Sequence, residues 1–300
     1  MSFRLHDPHR RLVLATAASL PLACASLSWA SENKADLIAR AAFEKLEKEL
    51  AGRLGVFAFN TANGARLAYR DGDRFALCST FKVIAASAVL ARSANTPGWL
   101  QQRIRYAASD LVAYSPVTEK HVAGGMTVAE LCAAGLQYSD NTAGNLLIRQ
   151  VGGPSAVTAY ARTLGDADFR LDRWETALNS AIPGDPRDTT TPGAMGRSLH
   201  RLVLGNALAA DGRAQLKDWL LGNTTGGARI KAGVPADWTI GDKTGGGSYG
   251  TAHDIAVAWP PGRPPLVLTV YTAQPDQDAK ARGDVVAAAA RVVVDWLEAS

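Results

Sequence analysis

Ser79 and Lys82 lie three residues apart at the start of the apolar stretch 83–90. The stretch predicts a helix, and residues at i and i+3 share one face of a helix. A hydroxyl and an ammonium would then meet at a helix N-terminus, where backbone N–H groups favour negative charge. Such a pair can activate a serine as a nucleophile without a histidine. Ser31 and Lys34 have the same spacing, so the pattern alone does not identify a site.

Four more groups with suitable side chains follow along the chain. They are Ser139-Asp140-Asn141 before the predicted helix 141–151, Glu175 and Asn179 in the irregular segment 173–188, Arg229, and Lys243-Thr244-Gly245 with Gly246 on a predicted strand. Hydroxyl groups can relay protons, and a carboxylate beside an amide can hold a water. Lysine and arginine together can bind an anion.

In this order and spacing, the groups resemble the motifs of the class A serine β-lactamases. The resemblance covers nearly all of the chain after residue 30. It implies Ser79 as nucleophile, Lys82 or Glu175 as acceptor of its proton, and Ser139 as proton donor to the lactam nitrogen. The backbone N–H groups of Ser79 and Gly246 would form an oxyanion hole.

The resemblance also implies how substrate and water are held. The expected substrate-binding residues are Tyr114, Asn141, Asn179, Arg229, Lys243, Thr244, Gly245 and Gly246. Glu175 and Asn179 would hold the water that hydrolyses the acyl-enzyme. Arg173 and Asp188 would form an ion pair that closes an Ω-loop around Glu175.

Three local features either differ from the common sequence pattern of the family or fit the motif of another enzyme class. Thr176 follows Glu175 where the family often has proline. Cys78 precedes the nucleophile, as in carbapenem-hydrolysing relatives, but the position of its disulfide partner is Gly247, which argues against that bridge and weakens the case for carbapenem hydrolysis. The stretch 246–250 fits G-x-S-x-G, yet a strand-like segment follows it where a nucleophile elbow requires a helix.

Periodicity predicts the elements that must position these groups. Strands are expected at 54–60, 65–70, 238–244, 255–259 and 266–273, and helices at 33–50, 79–93, 127–134, 141–151, 154–164, 192–204, 211–221 and 279–298. On the first helix, we expect Leu37, Ile38, Ala41, Ala42, Leu46 and Leu50 to share one apolar side. Tight turns between successive strands indicate an antiparallel sheet.

The predicted fold is therefore α+β. An antiparallel five-stranded sheet covered by helices, residues 31–70 and 222–300, would stand beside an all-helical sub-domain, residues 71–221, with a cleft between them. Residues 1–30 are predicted to be a signal peptide, because basic residues precede an apolar stretch and Ser28-Trp29-Ala30 fits a cleavage site. Export by the Sec or the twin-arginine route would place the protein in the periplasm or outside the cell.

Composition limits the partners. A net charge of +4 is too small and too scattered for a nucleic-acid-binding protein. The histidines at 121, 200 and 253 lack metal-ligand spacing, so no metal or other cofactor is expected. No membrane span is expected after the leader, and the protein is expected to be a monomer. Of the two cysteines after residue 30, Cys78 and Cys132, we expect two buried free thiols.

The expected function is hydrolysis of the β-lactam amide of penicillins and cephalosporins, which confers antibiotic resistance. A penicillin-binding DD-peptidase shares the Ser/Lys, Ser-x-Asn and Lys-Thr-Gly groups but lacks the Glu175 and Asn179 water site. A non-hydrolysing β-lactam sensor domain is the other alternative. Both alternatives would remain acylated, so only the first hypothesis predicts turnover.

Overall fold

A five-stranded antiparallel sheet forms the centre of the fold. The computed structural model of the chain describes residues 34–299. The predicted leader, residues 1–30, lies outside the described residues. The strands are β1 (Arg53–Asn60), β2 (Arg66–Tyr69), β3 (Phe75–Ala76), β4 (Arg103–Ile104), β5 (Met126–Thr127), β6 (Thr189–Thr190), β7 (Thr239–Gly246), β8 (Ala252–Trp259) and β9 (Leu266–Ala273). The large sheet has the order β2-β1-β9-β8-β7, which confirms the predicted fold class. The pairs β3–β6 and β4–β5 are separate two-stranded ribbons.

The long helices agree with the predicted positions to within a few residues, whereas the four-residue helix at Ile230–Gly233 was not predicted. The helices are α1 (Lys34–Leu50), α2 (Phe81–Ser93), α3 (Val128–Gln137), α4 (Asn141–Val151), α5 (Pro154–Thr163), α6 (Pro192–Val203), α7 (Ala210–Leu221), α8 (Ile230–Gly233) and α9 (Gly283–Ala299). Short 3₁₀ turns precede α2 at Cys78–Thr80 and occupy Ala177–Ser180. Within residues 34–299, no helix is both long and apolar enough to cross a membrane.

Local sequence explains where several helices begin. Thr127 caps α3 by accepting from the backbone N–H of Glu130, whose carboxylate accepts from the N–H of Thr127. Asp140 caps α4 through the N–H of Ala143 at 2.8 Å. Helices α5 and α6 begin with proline, whose missing N–H is not needed at a helix start. The predicted N-terminus at residue 279 of the last helix was four residues early, since α9 begins at Gly283.

Helix α1 buries only part of the side that the sequence suggested. Of the predicted residues, Leu50 is buried and Leu46 is half-buried, but Leu37 and Ile38 are exposed. The other buried side chains are Ala35, Ala39 and Phe43, and the Phe43 ring packs against Tyr69 of β2. The prediction was wrong for Leu37 and Ile38 because both faces of the helix carry apolar residues, and periodicity alone cannot choose between them.

Two clusters of buried side chains lie on opposite faces of the sheet. One contains residues of α1, α9 and the sheet, including Phe43, Leu54, Val270 and Trp296. The other joins the opposite sheet face, with Val257 and Tyr271, to the helices between residues 81 and 221. We keep the predicted division into a sheet sub-domain and a helical sub-domain as a proposal, and these two clusters support it.

Candidate active site

Ser79, Lys82 and Glu175 meet at the start of α2. Ser79 lies in the 3₁₀ turn Cys78–Thr80 and Lys82 in the first turn of α2, so Ser79 lies just before the helix that was predicted to begin at it. Lys82 Nζ lies 2.9 Å from Ser79 Oγ and 3.0 Å from Glu175 Oε1. Ser79 Oγ is also 3.4 Å from Glu175 Oε1. The i, i+3 pair of the sequence thus forms a buried three-residue cluster with a carboxylate from the irregular segment.

Lys82 is surrounded by oxygen atoms. Besides Ser79 and Glu175, its Nζ donates to the carbonyl oxygen of Ser139 at 2.9 Å and to Asn141 Oδ1 at 2.8 Å. Its aliphatic chain passes over Gly144 of α4, where an added Cβ would lie 2.7 Å from Lys82 Cε. Helix α4 therefore both binds the ammonium and leaves room for its side chain.

The loop that carries Glu175 is closed by charged side chains. Arg173 Nε donates to Asp188 Oδ2 at 2.5 Å, and the backbone N–H groups of Asp172 and Arg173 donate to Asp188 Oδ1. The N–H of Asp188 donates in return to Asp172 Oδ2 at 2.9 Å. The expected ion pair is thus present, together with a reciprocal side-chain to backbone pair through Asp172. We propose that its role is to hold the Ω-loop closed.

Glu175 is fixed from two sides. Asn179 Nδ2 donates to Glu175 Oε2 at 2.5 Å, so the amide holds the carboxylate oxygen that does not face Lys82. Asn145 of α4 accepts from the N–H of Glu175 at 2.8 Å and donates to its carbonyl oxygen at 3.0 Å. The Glu175–Thr176 peptide bond is cis. Both ends of the carboxylate and both backbone polar groups of Glu175 therefore have partners.

A second lysine approaches from the sheet. Lys243 of β7 is fully buried, and its Nζ donates to Ser139 Oγ at 3.0 Å. Burial and the nearby charge of Lys82 lower the pKa of Lys243 well below its ordinary value. Ser139 connects the two lysines, because its carbonyl oxygen binds Lys82 and its hydroxyl binds Lys243.

Arg229 lies beside the same edge strand. Its Nη1 donates to the carbonyl oxygens of Gly245 at 2.7 Å and His253 at 2.6 Å. A Cβ on Gly246 would lie 3.7 Å from Arg229 Nη2. Burial lowers the pKa of Arg229. Thr244 Oγ1 lies 2.5 Å from Thr225 Oγ1, so the loop before α8 contacts the strand at two points.

Hydrogen bonds connect the segment that carries Tyr114 to Asn141 at the start of α4. The N–H of Asn141 donates to the carbonyl oxygen of Tyr114 at 3.0 Å, and Asn141 Nδ2 donates to that of Ala113 at 2.9 Å. Tyr114 has a φ of 61° and a side chain that is 61% exposed. Buried Asp140 accepts from the N–H groups of Val117 and Thr118, which attaches the segment after Tyr114 to the start of α4. This exposure is compatible with an aromatic wall and shows that Tyr114 is not a core residue.

The glycine-rich turn after β7 is not a nucleophile elbow, since β8 follows it. A Cβ at Gly247 would lie 3.2 Å from Cys78 Sγ and 2.4 Å from the carbonyl oxygen of Asn179. Both cysteines among residues 34–299 are free and buried, as expected. Burial raises the pKa of the Cys78 thiol to about 12, so it is not a thiolate nucleophile at neutral pH. In the same range, no group of three or more His, Cys, Asp or Glu side chains could hold a metal ion.

Sequence reasoning missed three residues of the site. Asn145 fixes the backbone of Glu175, Gly144 makes room for Lys82, and Thr225 contacts Thr244. The position of Asn145 one helical turn after Asn141 was the available signal, since residues at i and i+4 share a helix face. Thr225 carried no comparable signal, because its contact joins an irregular loop to a strand.

Comparison with known proteins identifies the family. The profile of the beta-lactamase enzyme family matches residues 38–297. The chain is 57% identical over 294 residues to beta-lactamase OXY-1 of Klebsiella oxytoca, covering 98% of this chain and 100% of that protein. It is 53% identical over 290 residues to the carbapenem-hydrolyzing beta-lactamase KPC of Klebsiella oxytoca, covering 96% and 97%.

A solved structure shows the same fold. The crystal structure of a beta-lactamase from Desulfarculus baarsii DSM 2075 is 59% identical in sequence and superposes with a TM-score of 0.87, over 88% of this chain and 99% of that one. The motif order from Ser79 to Lys243 and these full-length similarities agree. The chain belongs to the beta-lactamase enzyme family, and within it to the class A serine β-lactamases.

Proposed function

We propose that this β-lactamase opens the amide of penicillins and cephalosporins through an acyl-enzyme on Ser79, and that its physiological role is antibiotic resistance. The observation that carries the mechanism is the buried cluster in which Glu175 Oε1 faces Ser79 and Lys82 while Glu175 Oε2 binds Asn179. This cluster contains the groups for both acylation and hydrolysis.

Acylation needs a base, a site that stabilises the oxyanion and a proton donor. The Ser79 hydroxyl can pass its proton to Glu175 Oε1, or to Lys82 Nζ after Lys82 has given a proton to Glu175, and it contacts both groups. The backbone N–H groups of Ser79 and Gly246 would stabilise the developing oxyanion. When the C–N bond breaks, the Ser139 hydroxyl, supplied with a proton by Lys82 or Lys243, would protonate the lactam nitrogen.

Hydrolysis of the acyl-enzyme needs a positioned water. Glu175 would accept a proton from the water as the oxygen attacks the ester carbonyl carbon, and Asn179 would help to hold that water. The water oxygen then forms the new carboxylic acid, and the proton returns to Ser79 as the ester bond breaks. Asn145 and the closed Ω-loop would hold Glu175 at the required position.

Lys243, Thr244 and Arg229 would bind the substrate carboxylate. Two of the three are cationic, and the Thr244 hydroxyl adds a hydrogen bond on the same strand. Gly245 and Asn141 would line the path between this pocket and Ser79. Tyr114 would provide an apolar wall at the cleft entrance. The substrate itself would raise the pKa of Lys243 again, because a bound carboxylate favours the ammonium form.

The Glu175 and Asn179 pair favours turnover over permanent acylation, which argues against a DD-peptidase or a sensor domain. The test is rapid-mixing kinetics of the protein with nitrocefin. We expect a linear steady state that continues for many turnovers per enzyme. A single burst equal to the enzyme concentration, with no later turnover, would refute the hydrolase mechanism.

We further propose export to the periplasm or the medium after cleavage of residues 1–30, and action as a monomer on a small-molecule substrate without a cofactor, nucleic acid or membrane partner. The resemblance of the first 30 residues to a signal peptide supports the first point. Mass spectrometry of the exported protein should show Ser31 as its first residue, and a mass that includes residues 1–30 would contradict the proposal.

A further inference from the structure

Two buried carboxyl groups lie on the sheet face opposite Lys243. Asp242 of β7 pairs in register with Ala256, and Asp254 of β8 pairs with Thr244. Because alternate strand residues point to the same side, Asp242, Thr244 and Asp254 share one face. Both aspartates are fully buried, and neither has a role in the proposed chemistry.

Asp242 binds both ends of the segment 223–231, which carries Arg229. Asn223 Nδ2 donates to Asp242 Oδ2 at 2.6 Å, and Lys231 Nζ lies 2.8 Å from Asp242 Oδ1. The backbone of the segment also packs directly on this carboxylate, because a Cβ at Gly226 would lie 1.9 Å from Asp242 Oδ2. The backbone N–H of Arg229 donates to the carbonyl oxygen of Gly226 at 3.0 Å.

Asp254 binds the backbone of Ile230, the residue that follows Arg229. Its Oδ2 accepts from the backbone N–H of Ile230 at 3.1 Å, while its Oδ1 has no hydrogen-bond donor among residues 34–299. Burial and the nearby Asp242 carboxylate raise the pKa of Asp254 well above its ordinary value. A proton on Asp254 would give it a hydrogen bond to Asp242 and would leave the pair with one negative charge.

Hydrogen bonds of Asn223 also connect Asp242 to Thr244, another residue that would bind the substrate carboxylate. Asn223 Oδ1 accepts from Thr225 Oγ1 at 2.8 Å, and Thr225 Oγ1 lies 2.5 Å from Thr244 Oγ1. A continuous series of hydrogen bonds therefore connects Asp242 to the hydroxyl that would bind substrate.

We infer that Asp242 and Asp254 are positioning residues for the substrate-carboxylate pocket: the two buried carboxyl groups fix the segment 223–231 so that Arg229 faces the bound carboxylate. The inference rests on the proposed role of Arg229 as a carboxylate anchor. Neither aspartate touches substrate, so their removal should change KM through Arg229 and leave the chemistry at Ser79 intact.

The test is a double-mutant cycle with a carboxylate-bearing substrate such as benzylpenicillin. We expect Arg229→Ala to raise KM roughly tenfold, which is the scale of a lost charge-assisted hydrogen bond. Asp242→Ala and Asp254→Ala should raise KM in the same direction with kcat nearly unchanged. In the Arg229→Ala background, these substitutions should add almost nothing.

Two variants separate positioning from general loss of structure. Asp254→Asn keeps the shape, an acceptor for Ile230 and a donor to Asp242, so it should behave like the unchanged protein. Asp166→Asn is the matched control, since Asp166 is a buried aspartate that binds Ser198 Oγ and the N–H of Phe169 instead of the segment 223–231. It should lower the melting temperature without altering KM.

If Asp242→Ala does not fold, Asn223→Ala removes the hydrogen bond between Asp242 and the start of the segment 223–231 and decides the question, with the same expected rise in KM. Effects that multiply with Arg229→Ala, or a fall in kcat at unchanged KM, would overturn the inference while leaving the anchor role of Arg229 intact. No change in KM for Arg229→Ala alone would overturn the anchor role, and the inference with it.

Discussion

At the scale of single residues, Lys82 contacts more oxygen atoms than it has N–H groups. Lys82 Nζ has four oxygen neighbours, from Ser79, Ser139, Asn141 and Glu175, whereas an ammonium has three N–H groups. One of these contacts must therefore be shared or given up at any moment. Transfer of a proton between Ser79, Lys82 and Glu175 then needs only small movements of hydrogen atoms, because the heavy atoms already lie within reach.

Replacement of Glu175 by alanine should separate the two chemical steps. A Lys82 side chain that is a neutral amine can still accept the Ser79 proton, but the water loses its base, so we expect hydrolysis of the acyl-enzyme to slow by roughly 10²–10⁴-fold. Intact-mass spectrometry after mixing with benzylpenicillin should show a stable adduct with the mass of the whole drug. Turnover at the unchanged rate without an adduct would contradict the role of Glu175.

The state of Lys243 should appear in the pH profile. Since its pKa is lowered by burial and by Lys82, Lys243 loses its charge at a lower pH than a free lysine does. As the pH rises, KM for anionic β-lactams should therefore increase before an ordinary lysine titrates. Lys243→Arg keeps its charge and should move this alkaline limb of kcat/KM to higher pH. Identical limbs for both proteins would rule out this titration.

At the scale of elements, α4 supports the loop that carries Glu175. It supplies Asn141 to Lys82, Asn145 to Glu175, and the space at Gly144 for the lysine side chain. The Ω-loop is closed at its base by Arg173 and Asp188 and is attached to α4 through Asn145. The position of Glu175 therefore depends on contacts between segments that are about thirty residues apart.

Asn145→Ala should release this attachment. Loss of two hydrogen bonds to buried backbone groups should lower the free energy of unfolding by about 1–3 kcal/mol. Because Glu175 then moves more freely, hydrolysis should slow more than acylation, which stopped-flow kinetics can resolve. Exposed Asn95, beyond the end of α2, is the matched control, and Asn95→Ala should change neither quantity. Equal loss of both steps would show that Asn145 acts on the whole cleft.

The sequence sufficed for the elements and for residues with recognisable motifs. Strand and helix positions were predictable from local periodicity, and Ser79, Lys82 and Lys243 from their motifs. The buried side of α1 was not, because Leu37 and Phe43 are equally apolar and only the sheet selects between them. Gly144 and the Asp242–Asp254 pair escaped because their contacts join distant segments, for which one sequence carries no local pattern. For Asn145 the available signal was its spacing of four residues from Asn141.

At the scale of the whole molecule, the turn that carries Ser79 is connected to the core. Thr80 follows Ser79, and its Oγ1 lies 3.1 Å from the hydroxyl of Tyr271, a fully buried residue of β9. The ring of Tyr271 packs against His253 with centroids 4.7 Å apart, and the carbonyl oxygen of His253 accepts from Arg229. Core residues of the sheet thus connect the Ser79 turn to the proposed carboxylate pocket.

His253 should contribute to acid sensitivity of the fold. Its Nδ1 accepts from the N–H of Thr272, and burial lowers its pKa to about 3 from an ordinary value of 6.5. As the pH falls from 6.5 towards 3, the unfolded chain binds a proton that the folded chain does not. The free energy of unfolding should therefore fall, by up to about 1.4 kcal/mol per pH unit from this group.

Denaturant titrations over this pH range should measure that slope. We expect His253→Asn, which retains an acceptor for Thr272, to have a shallower pH dependence than the unchanged protein. His121 is exposed, so His121→Asn should leave the slope as it is. A slope that is the same in all three proteins would show that other groups alone determine acid stability.

The packing of Lys82 over Gly144 has a consequence for how this gene can vary. A Cβ at position 144 would lie 2.7 Å from Lys82 Cε, whereas Gly72 and Gly124 face open space. In a library that randomises these codons and is selected on ampicillin plates, position 144 should return glycine almost exclusively. Positions 72 and 124 should return many amino acids, so the limit on drift at residue 144 would be set by a lysine more than sixty residues earlier in the chain.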